Sequence, residues 1–364
     1  MKTRLMLTCL FSLALATSLA AQTQEANSGF ELNSTFSGEA LYSPQLSIPS
    51  RDDSPAMGAF RAVLYPTWKL SKHWTFFSAL QAYSRPYFYS DFSTPGPYLG
   101  ENILQANVSY SRFWGNRSVI VRVGELSSAF GSFLLRYDDA VNPLVDMPAS
   151  YGYYYKEVTT AGLPGAEVDT TLGKLDTRLQ FTNSSPANPL PLTSRDQYGD
   201  WTGGAGYTFF QGFRVGASAY RGPYLDRQYA YFFPGESDPI DLPATAVGAD
   251  VEWGHGPWNV NGEWQRFQLD YHVIPTFITD VAYAEARLTV RPRWYVATRL
   301  TSQRPSEGSN SQVYEFAVGY RPGVHELMKV DYEIQQSPTI VGASQNTLAV
   351  QFVTSLHMFS FAGH

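Results

Sequence analysis

Cysteine is almost absent from this chain of 364 residues, with Cys9 as its single example, and lysine is scarce, with 6 residues against 20 arginines. The formal net charge is −6, which excludes the basic surface of a typical nucleic-acid-binding protein. Aromatic residues are abundant at 15% of the chain. That content excludes a disordered chain, which would be poor in aromatics, and a coiled coil, which would be rich in Glu, Lys and Leu.

The first 21 residues have the pattern of an export signal. Lys2 and Arg4 precede an apolar stretch from Leu5 to Leu15, and small residues follow at 18–21. This stretch is too short for a membrane anchor, and we expect it to be cleaved. Cleavage would remove Cys9 and change the formal charge from −6 to −8, leaving residues 22–364 as one exported domain without disulfides.

Long apolar runs are also absent after residue 21, so the sequence predicts no transmembrane helix. Apolar and polar residues instead alternate with a period of two, which is typical of strands with one apolar and one polar face. A soluble β-sandwich would produce the same alternation. The clearest examples are 175–181, 213–219, 247–253, 328–334 and 348–359.

The spacing of the turns favours a membrane barrel over a sandwich. Seven short turns alternate with eight long segments rich in Pro, Gly, Ser and Asp, which predicts about sixteen antiparallel strands with short connections on one side only. The short turns lie at 70–72, 115–116, 173–174, 211–212, 254–256, 291–293 and 321–323. The long segments lie at 43–57, 84–99, 126–160, 184–200, 222–244, 270–276, 303–311 and 337–346.

Aromatic residues cluster beside the short turns, as they do where a barrel crosses the membrane–water interface. Trp68 and Trp74 flank the first turn, and Phe113 and Trp114 precede the second. Alternation also assigns the strand faces, for example placing Val296 and Leu300 toward lipid and Ala297 and Arg299 toward the lumen. Ordinary core aromatics would instead lie in the middle of the strands.

The longest loop, 126–160, is too apolar for a segment surrounded by water. It carries three phenylalanine or methionine side chains and five tyrosines among several leucines and valines. We therefore predict that it folds into the lumen and narrows the aqueous channel that sixteen strands enclose; the alternative is a loop that caps the barrel or contacts a neighbouring subunit. A sixteen-stranded barrel whose third loop folds inward resembles the trimeric porins of Gram-negative bacteria, and this resemblance implies a homotrimer.

The segment from Arg122 to Gly131 resembles the strand-to-loop sequence G-x-F-x-x-P-F-G of the phosphate-selective porin O/P-like proteins. Leu126 replaces the usual aromatic residue of that sequence, and Ala129 replaces its proline. Those porins conduct anions past arginines and loop lysines. The third loop of this chain is instead more acidic than basic, so phosphate selectivity is not expected.

The predicted constriction lies where the third loop meets the wall. Its candidate residues are Arg136, Asp138 and Asp139 on the loop, facing Arg178 and Arg214 on the wall. The predicted lumenal bases are Arg61, Arg122, Arg178, Arg214, Arg287, Arg299, Arg321 and Lys329. The predicted lumenal acids are Glu31, Glu39, Glu167, Asp169, Asp176, Asp250, Glu252, Glu263, Glu285, Glu315, Asp331 and Glu333. Twelve acids against eight bases predict a weak preference for cations.

The sequence therefore predicts an outer-membrane porin that passes small hydrophilic solutes and ions by diffusion, in contact with outer-membrane lipid and lipopolysaccharide. We expect no nucleic-acid partner. We also expect no cofactor, metal or catalytic site, because common catalytic motifs are missing and no two histidines have metal-ligand spacing. A binding or adhesin barrel with a plugged lumen remains an alternative, and an outer-membrane hydrolase is a third.

Overall fold

The computed structural model describes residues 28–44, 55–84, 87, 99–151, 162–182, 199–223, 242–272, 275–336 and 346–362. The predicted signal segment 1–21 lies outside these ranges, as does much of the predicted long segments 43–57, 84–99, 184–200, 222–244 and 337–346. Within the described ranges, no helix has the length and apolar character needed to cross a membrane.

Sixteen antiparallel strands form one closed barrel in which each strand pairs with its neighbours in the chain, and β1 pairs with β16. This confirms the predicted fold class. The strands are β1 Gly29–Tyr42, β2 Ala56–Lys69, β3 Trp74–Ser84, β4 Leu99–Trp114, β5 Arg117–Leu126, β6 Leu163–Leu172, β7 Leu175–Thr182, β8 Asp200–Phe210, β9 Phe213–Pro223, β10 Pro243–His255, β11 Trp258–Leu269, β12 Phe277–Arg291, β13 Trp294–Pro305, β14 Ser311–Tyr320, β15 Glu326–Gln336 and β16 Asn346–Ala362.

Closure of the barrel removes the unpaired edges that an open sheet would expose, which is what a membrane requires of strands. The closing pair runs from Gly29 opposite Ala362 to Tyr42 opposite Leu348. Each of the seven predicted short turns joins two successive strands at the same end of the barrel. The two-residue turns 115–116, 173–174 and 256–257 begin with a glycine of positive φ.

The outer face is apolar and the inner face polar, as the alternation predicts. On β13, Val296 and Leu300 are exposed on the outside, whereas Ala297 and Arg299 point inward and are buried. Exposed aromatic side chains flank the short turns, and Trp294 stacks on Tyr320 with ring centroids 4.4 Å apart. These observations agree with an aromatic band at the short-turn end.

The third long connection folds into the barrel, as predicted. We call its described part, residues 127–151, the inward loop. Two short 3₁₀ turns, Leu134–Arg136 and Ala149–Tyr151, are its only regular elements within the described residues. Lumenal residues of β13 to β16 are buried along most of each strand, because the inward loop covers them.

The strand faces make a first testable prediction. Replacing Leu300 with Arg places a charge on the lipid face near the middle of β13 and should cost about 2–4 kcal/mol of unfolding free energy. Asn261→Arg is the matched control, because Asn261 faces the lumen with Glu252 and Glu285 as its cross-strand neighbours. Heat-modifiable gel mobility and denaturant unfolding measure both variants. Equal loss of stability in the two would mean that the faces are assigned the wrong way round.

Candidate functional site

The inward loop leaves β5 and runs along the wall, where inward side chains bond its backbone. Gln180 on β7 donates to the Ser127 carbonyl at 2.8 Å and accepts from the Ala129 N–H at 3.2 Å. Glu263 on β11 accepts from the Ser132 N–H at 2.9 Å. Backbone groups taken out of water need such partners, so the polar lumen and the loop are matched to each other.

Apolar side chains of the loop fill hollows between these polar contacts. Phe130 is fully buried and meets Phe267 edge to face, with ring centroids 5.7 Å apart. Phe133 packs against Tyr151 and against Tyr283 on β12. The phenylalanines that make the loop apolar in sequence are therefore what attach it to the wall.

Gly131 allows the loop to lie this close to the wall. Its φ is +74°, and a Cβ atom there would stand 2.2 Å from the Tyr151 hydroxyl and 2.5 Å from a Glu263 carboxylate oxygen. Tyr151 donates to Glu263 at 2.7 Å and accepts from Gln265 at 3.0 Å. A side chain at position 131 would break this buried network as well as strain the backbone.

The second half of the loop is held by Lys329 on β15. This ammonium group is fully buried and donates to the carbonyls of Asp139, Asn142 and Leu144 at 2.9, 3.2 and 2.9 Å. All three of its donors are used. Lys329 therefore fixes residues 139–144 of the loop by hydrogen bonds to one buried ammonium group.

Three more side chains extend this attachment along β13 to β15. Arg299 is fully buried, donates to the Asp146 carbonyl at 2.8 Å and pairs with Glu315. Tyr295 donates to the Pro143 carbonyl at 3.0 Å, and Asp331 accepts from the Val145 N–H at 2.8 Å. Residues 142–146 are thus fixed against one side of the barrel.

The predicted constriction acids Asp138 and Asp139 are anchors, and they do not border an open path. They are 7% and 1% exposed. Asp138 accepts hydrogen bonds from Thr35 and Tyr65, while Asp139 accepts from Ser37 at 2.6 Å and pairs with Arg61 at 3.1 Å. The prediction that they face Arg178 and Arg214 is wrong, because the wall of β1 and β2 binds them instead.

The charge of Asp139 is stabilised where it lies. Burial by itself would raise the pKa of this carboxyl group, but the positive charges of Arg61 and Lys329, with hydrogen bonds from Ser37 and Tyr137, outweigh burial and hold its pKa below the usual value. Tyr87, which follows β3, also donates to Asp139 at 2.9 Å. The third predicted loop residue, Arg136, has its backbone in the first 3₁₀ turn, and its side chain lies outside the described part of the structure.

Arg178 and Arg214 lie on the opposite side of the lumen with Arg122. Their side chains are 29%, 19% and 17% exposed, so water reaches this wall. Each pairs with carboxylates of adjacent or nearby strands: Arg122 with Glu167 and Asp169, Arg178 with Asp169 at 3.0 Å, and Arg214 with Asp176 at 2.6 Å and Asp250 at 2.7 Å. We call the inward face of β5 to β10 between these arginines and the short turns, which the described loop does not cover, the open wall.

The inward loop changes the numbers of acidic and basic lumenal side chains that are accessible to water. Eight of the twelve predicted lumenal acids are buried, which leaves Glu31, Asp169, Asp176 and Glu252. Three of the eight bases are buried, which leaves Arg122, Arg178, Arg214, Arg287 and Arg321. Most of the predicted acidic excess is therefore buried, and among the predicted lumenal residues four acids and five bases stay partly accessible to water.

Comparison with known proteins shows similarity of structure. No protein-family model matches the sequence, and no curated protein matches it. OmpF of Salmonella typhi, in complex with daunomycin, superposes with a TM-score of 0.65 at 10% identity, over 92% of this chain and 99% of OmpF. An anion-selective porin of Comamonas acidovorans gives 0.58 at 11% identity, over 90% and 100%. The trimer form of OmpT, an outer membrane protein of Vibrio cholerae, gives 0.57 at 10% identity, over 90% and 99%.

The fold is that of the 16-stranded outer-membrane porins. The resemblance predicted from the sequence is therefore confirmed at the level of architecture, including the inward third loop. At sequence identities of 10% and 11%, the role of an individual residue in those proteins cannot be assigned to a residue of this chain.

The wall anchors Lys329 and Arg299 were predicted as lumenal bases, but their contact with the loop was not. One signal could have indicated it: lysine is scarce here, and Lys329 stands in mid-strand on an inward face. A lone lysine in such a position needs buried acceptors or a counter-charge. Tyr87 lies in a loop sequence without any comparable signal.

Lys329 gives a second prediction. Lys329→Met keeps much of the side-chain volume but leaves three buried carbonyls without a donor, and it should destabilise the folded loop by about 3–5 kcal/mol. We expect protease cleavage between residues 139 and 146 to accelerate while the barrel stays folded. Lys174→Met is the control, since Lys174 is an exposed turn residue. Equal protease resistance of wild type and Lys329→Met would contradict the anchoring role.

Proposed function

We propose that this protein is an outer-membrane porin, a water-filled channel for the passive diffusion of small hydrophilic solutes and ions. The observation that carries the proposal is the asymmetry of the lumen. The inward loop contacts the wall from β7 around to β2, while the charged side chains of the open wall, nearer the short turns, stay partly exposed to water. A half-filled sixteen-stranded barrel retains a polar path beside its loop.

The outer membrane is the proposed location. The apolar outer face, the aromatic band beside the short turns and the predicted signal segment 1–21 support it. We also propose a homotrimer in contact with lipid and lipopolysaccharide, supported by the trimer form of one structural neighbour. Unheated gel mobility and crosslinking of the folded protein test the trimer.

A plugged binding or adhesin barrel is the second candidate. It is favoured by the many bonds between the inward loop and the wall, which reach from β7 around to β2. Planar-bilayer recording separates the two functions: discrete conductance steps support a porin, and folded protein without conductance supports a plugged barrel. A phospholipase assay on the same preparation tests the hydrolase alternative, and turnover would contradict the proposal of a channel without enzymatic activity.

The water-facing charges predict the ion preference. Because four acids and five bases remain exposed, we expect a reversal potential close to zero in a KCl gradient, in place of the weak cation preference that the full sequence count suggests. Any residual preference should fade as salt is raised, since screening shortens the reach of each charge. Strong selectivity for either sign would show that buried charges or undescribed segments control the path.

Removal of residues 132–150 tests whether the inward loop narrows the channel. The barrel should remain folded, because its strand-to-strand hydrogen bonds do not pass through the loop. Conductance and the permeation of larger sugars should increase, as the side of the lumen along β11 to β16 becomes free. Unchanged conductance in a folded deletion variant would place the loop outside the conducting path.

A further inference from the structure

The side chain of Arg214 lies against the lumenal surface of the sheet at two positions that are both glycine. Gly206 on β8 and Gly216 on β9 are cross-strand partners, and Asp176 on β7 and Asp250 on β10 flank them at the same height. The row across four strands therefore reads Asp, Gly, Gly, Asp. With strands about 4.8 Å apart, the Cα atoms of the two aspartates lie about 14 Å apart along the wall.

The guanidinium of Arg214 occupies the space that side chains would fill at the two glycines. A Cβ atom on Gly206 would stand 2.0 Å from Nη2 and 2.3 Å from Cζ of Arg214. A Cβ atom on Gly216 would stand 2.9 Å from Nη1 of Arg214 and 2.5 Å from Asp250 Oδ1. Glycine inside a strand weakens it and marks a place where another group comes close to the backbone.

The two aspartates hold the guanidinium in this place from both ends. Nη2 and Nε of Arg214 donate to Asp176 at 2.6 and 3.0 Å, and Nη1 donates to Asp250 at 2.7 Å. Glu252 adds a weaker contact at 3.8 Å. The planar fork of arginine suits such two-sided binding, which lysine could not reproduce.

We propose that Gly206 and Gly216 form a seat that keeps Arg214 against the open wall, and that this seat limits how far the guanidinium projects into the channel and how strongly its charge affects ion preference. This inference rests on the porin function proposed above. Seated, the guanidinium takes little room in the lumen and its charge is offset by Asp176 and Asp250. Arg122 and Arg178 are paired with carboxylates in the same way, so the wall admits polar solutes without strong selection by charge.

Two variants should shift the channel in opposite directions. In Gly206→Ala the methyl group displaces the guanidinium, which is the mobile end of a long side chain, so the barrel tolerates the change. The positive charge then moves toward the path, and we expect lower conductance, slower entry of larger sugars and a reversal potential shifted toward anions. In Arg214→Ala the carboxylates lose the positive charge of Arg214 and the space of the guanidinium is free, so conductance should increase and the reversal potential should shift toward cations.

Gly203→Ala is the control for an added methyl group on the outward face of the same strand, beside Leu179, where a Cβ atom meets its nearest neighbours at 3.7 and 3.8 Å. It should behave like wild type. The double variant Gly206→Ala/Arg214→Ala should behave like Arg214→Ala alone, since the methyl group acts through the guanidinium. Gly206→Ala that folds and conducts like Gly203→Ala would overturn the seat.

Thermal unfolding of the same four variants tests the seat without relying on conduction. Gly206→Ala should lower the melting temperature more than Gly203→Ala does. The double variant Gly206→Ala/Arg214→Ala should have the same melting temperature as Arg214→Ala, because the guanidinium that the methyl group displaces is gone. A wild-type protein that does not conduct would overturn the porin function, whereas absence of this coupling in unfolding would overturn the seat itself.

Discussion

A backbone segment folded into a barrel must find hydrogen-bond partners there, and the rest of this structure depends on how that requirement is met. The inward loop has only two short 3₁₀ turns among its described residues, and its own hydrogen bonds leave many of its backbone groups without a partner inside the loop. Charged and polar side chains of the wall bond it instead. Lys329 alone binds three of its carbonyls, because an ammonium group buried without acceptors would be very costly.

This constraint gives two different roles to one type of residue. Arg61, Arg299 and Lys329 are buried and hold the loop, whereas Arg122, Arg178 and Arg214 remain partly exposed on the open wall. All six lie on inward faces of strands. Position relative to the loop, rather than residue type, decides which charges water can meet, so net charge in the sequence is a poor guide to ion preference.

On the open wall, each arginine is paired with carboxylates a few ångströms away, which reduces the net electrostatic field in the lumen. Arginines there pair with carboxylates on neighbouring strands, and Arg214 lies on backbone that is bare of side chains at Gly206 and Gly216. Flat, paired side chains keep the wall polar and take little room in the lumen. In the porin proposed above, the same balance predicts weak selectivity despite the many charged lumenal residues.

Periodicity and turn spacing in the sequence determined the barrel, its sixteen strands and the facing of Leu300 and Arg299, because alternation sets the face and short turns set the pairing. The apolar composition of 126–160 indicated that the third loop folds inward. The contacts of Asp138, Asp139 and Lys329 were decided only by the tertiary structure. Those between the loop and the rest of the barrel join residues between 52 and 190 positions apart along the chain. The path of the loop across the lumen selects these partners, and no local pattern encodes that path. The sequence alone could place a charge inside the barrel, but only the folded loop decides whether that charge meets water or holds the backbone.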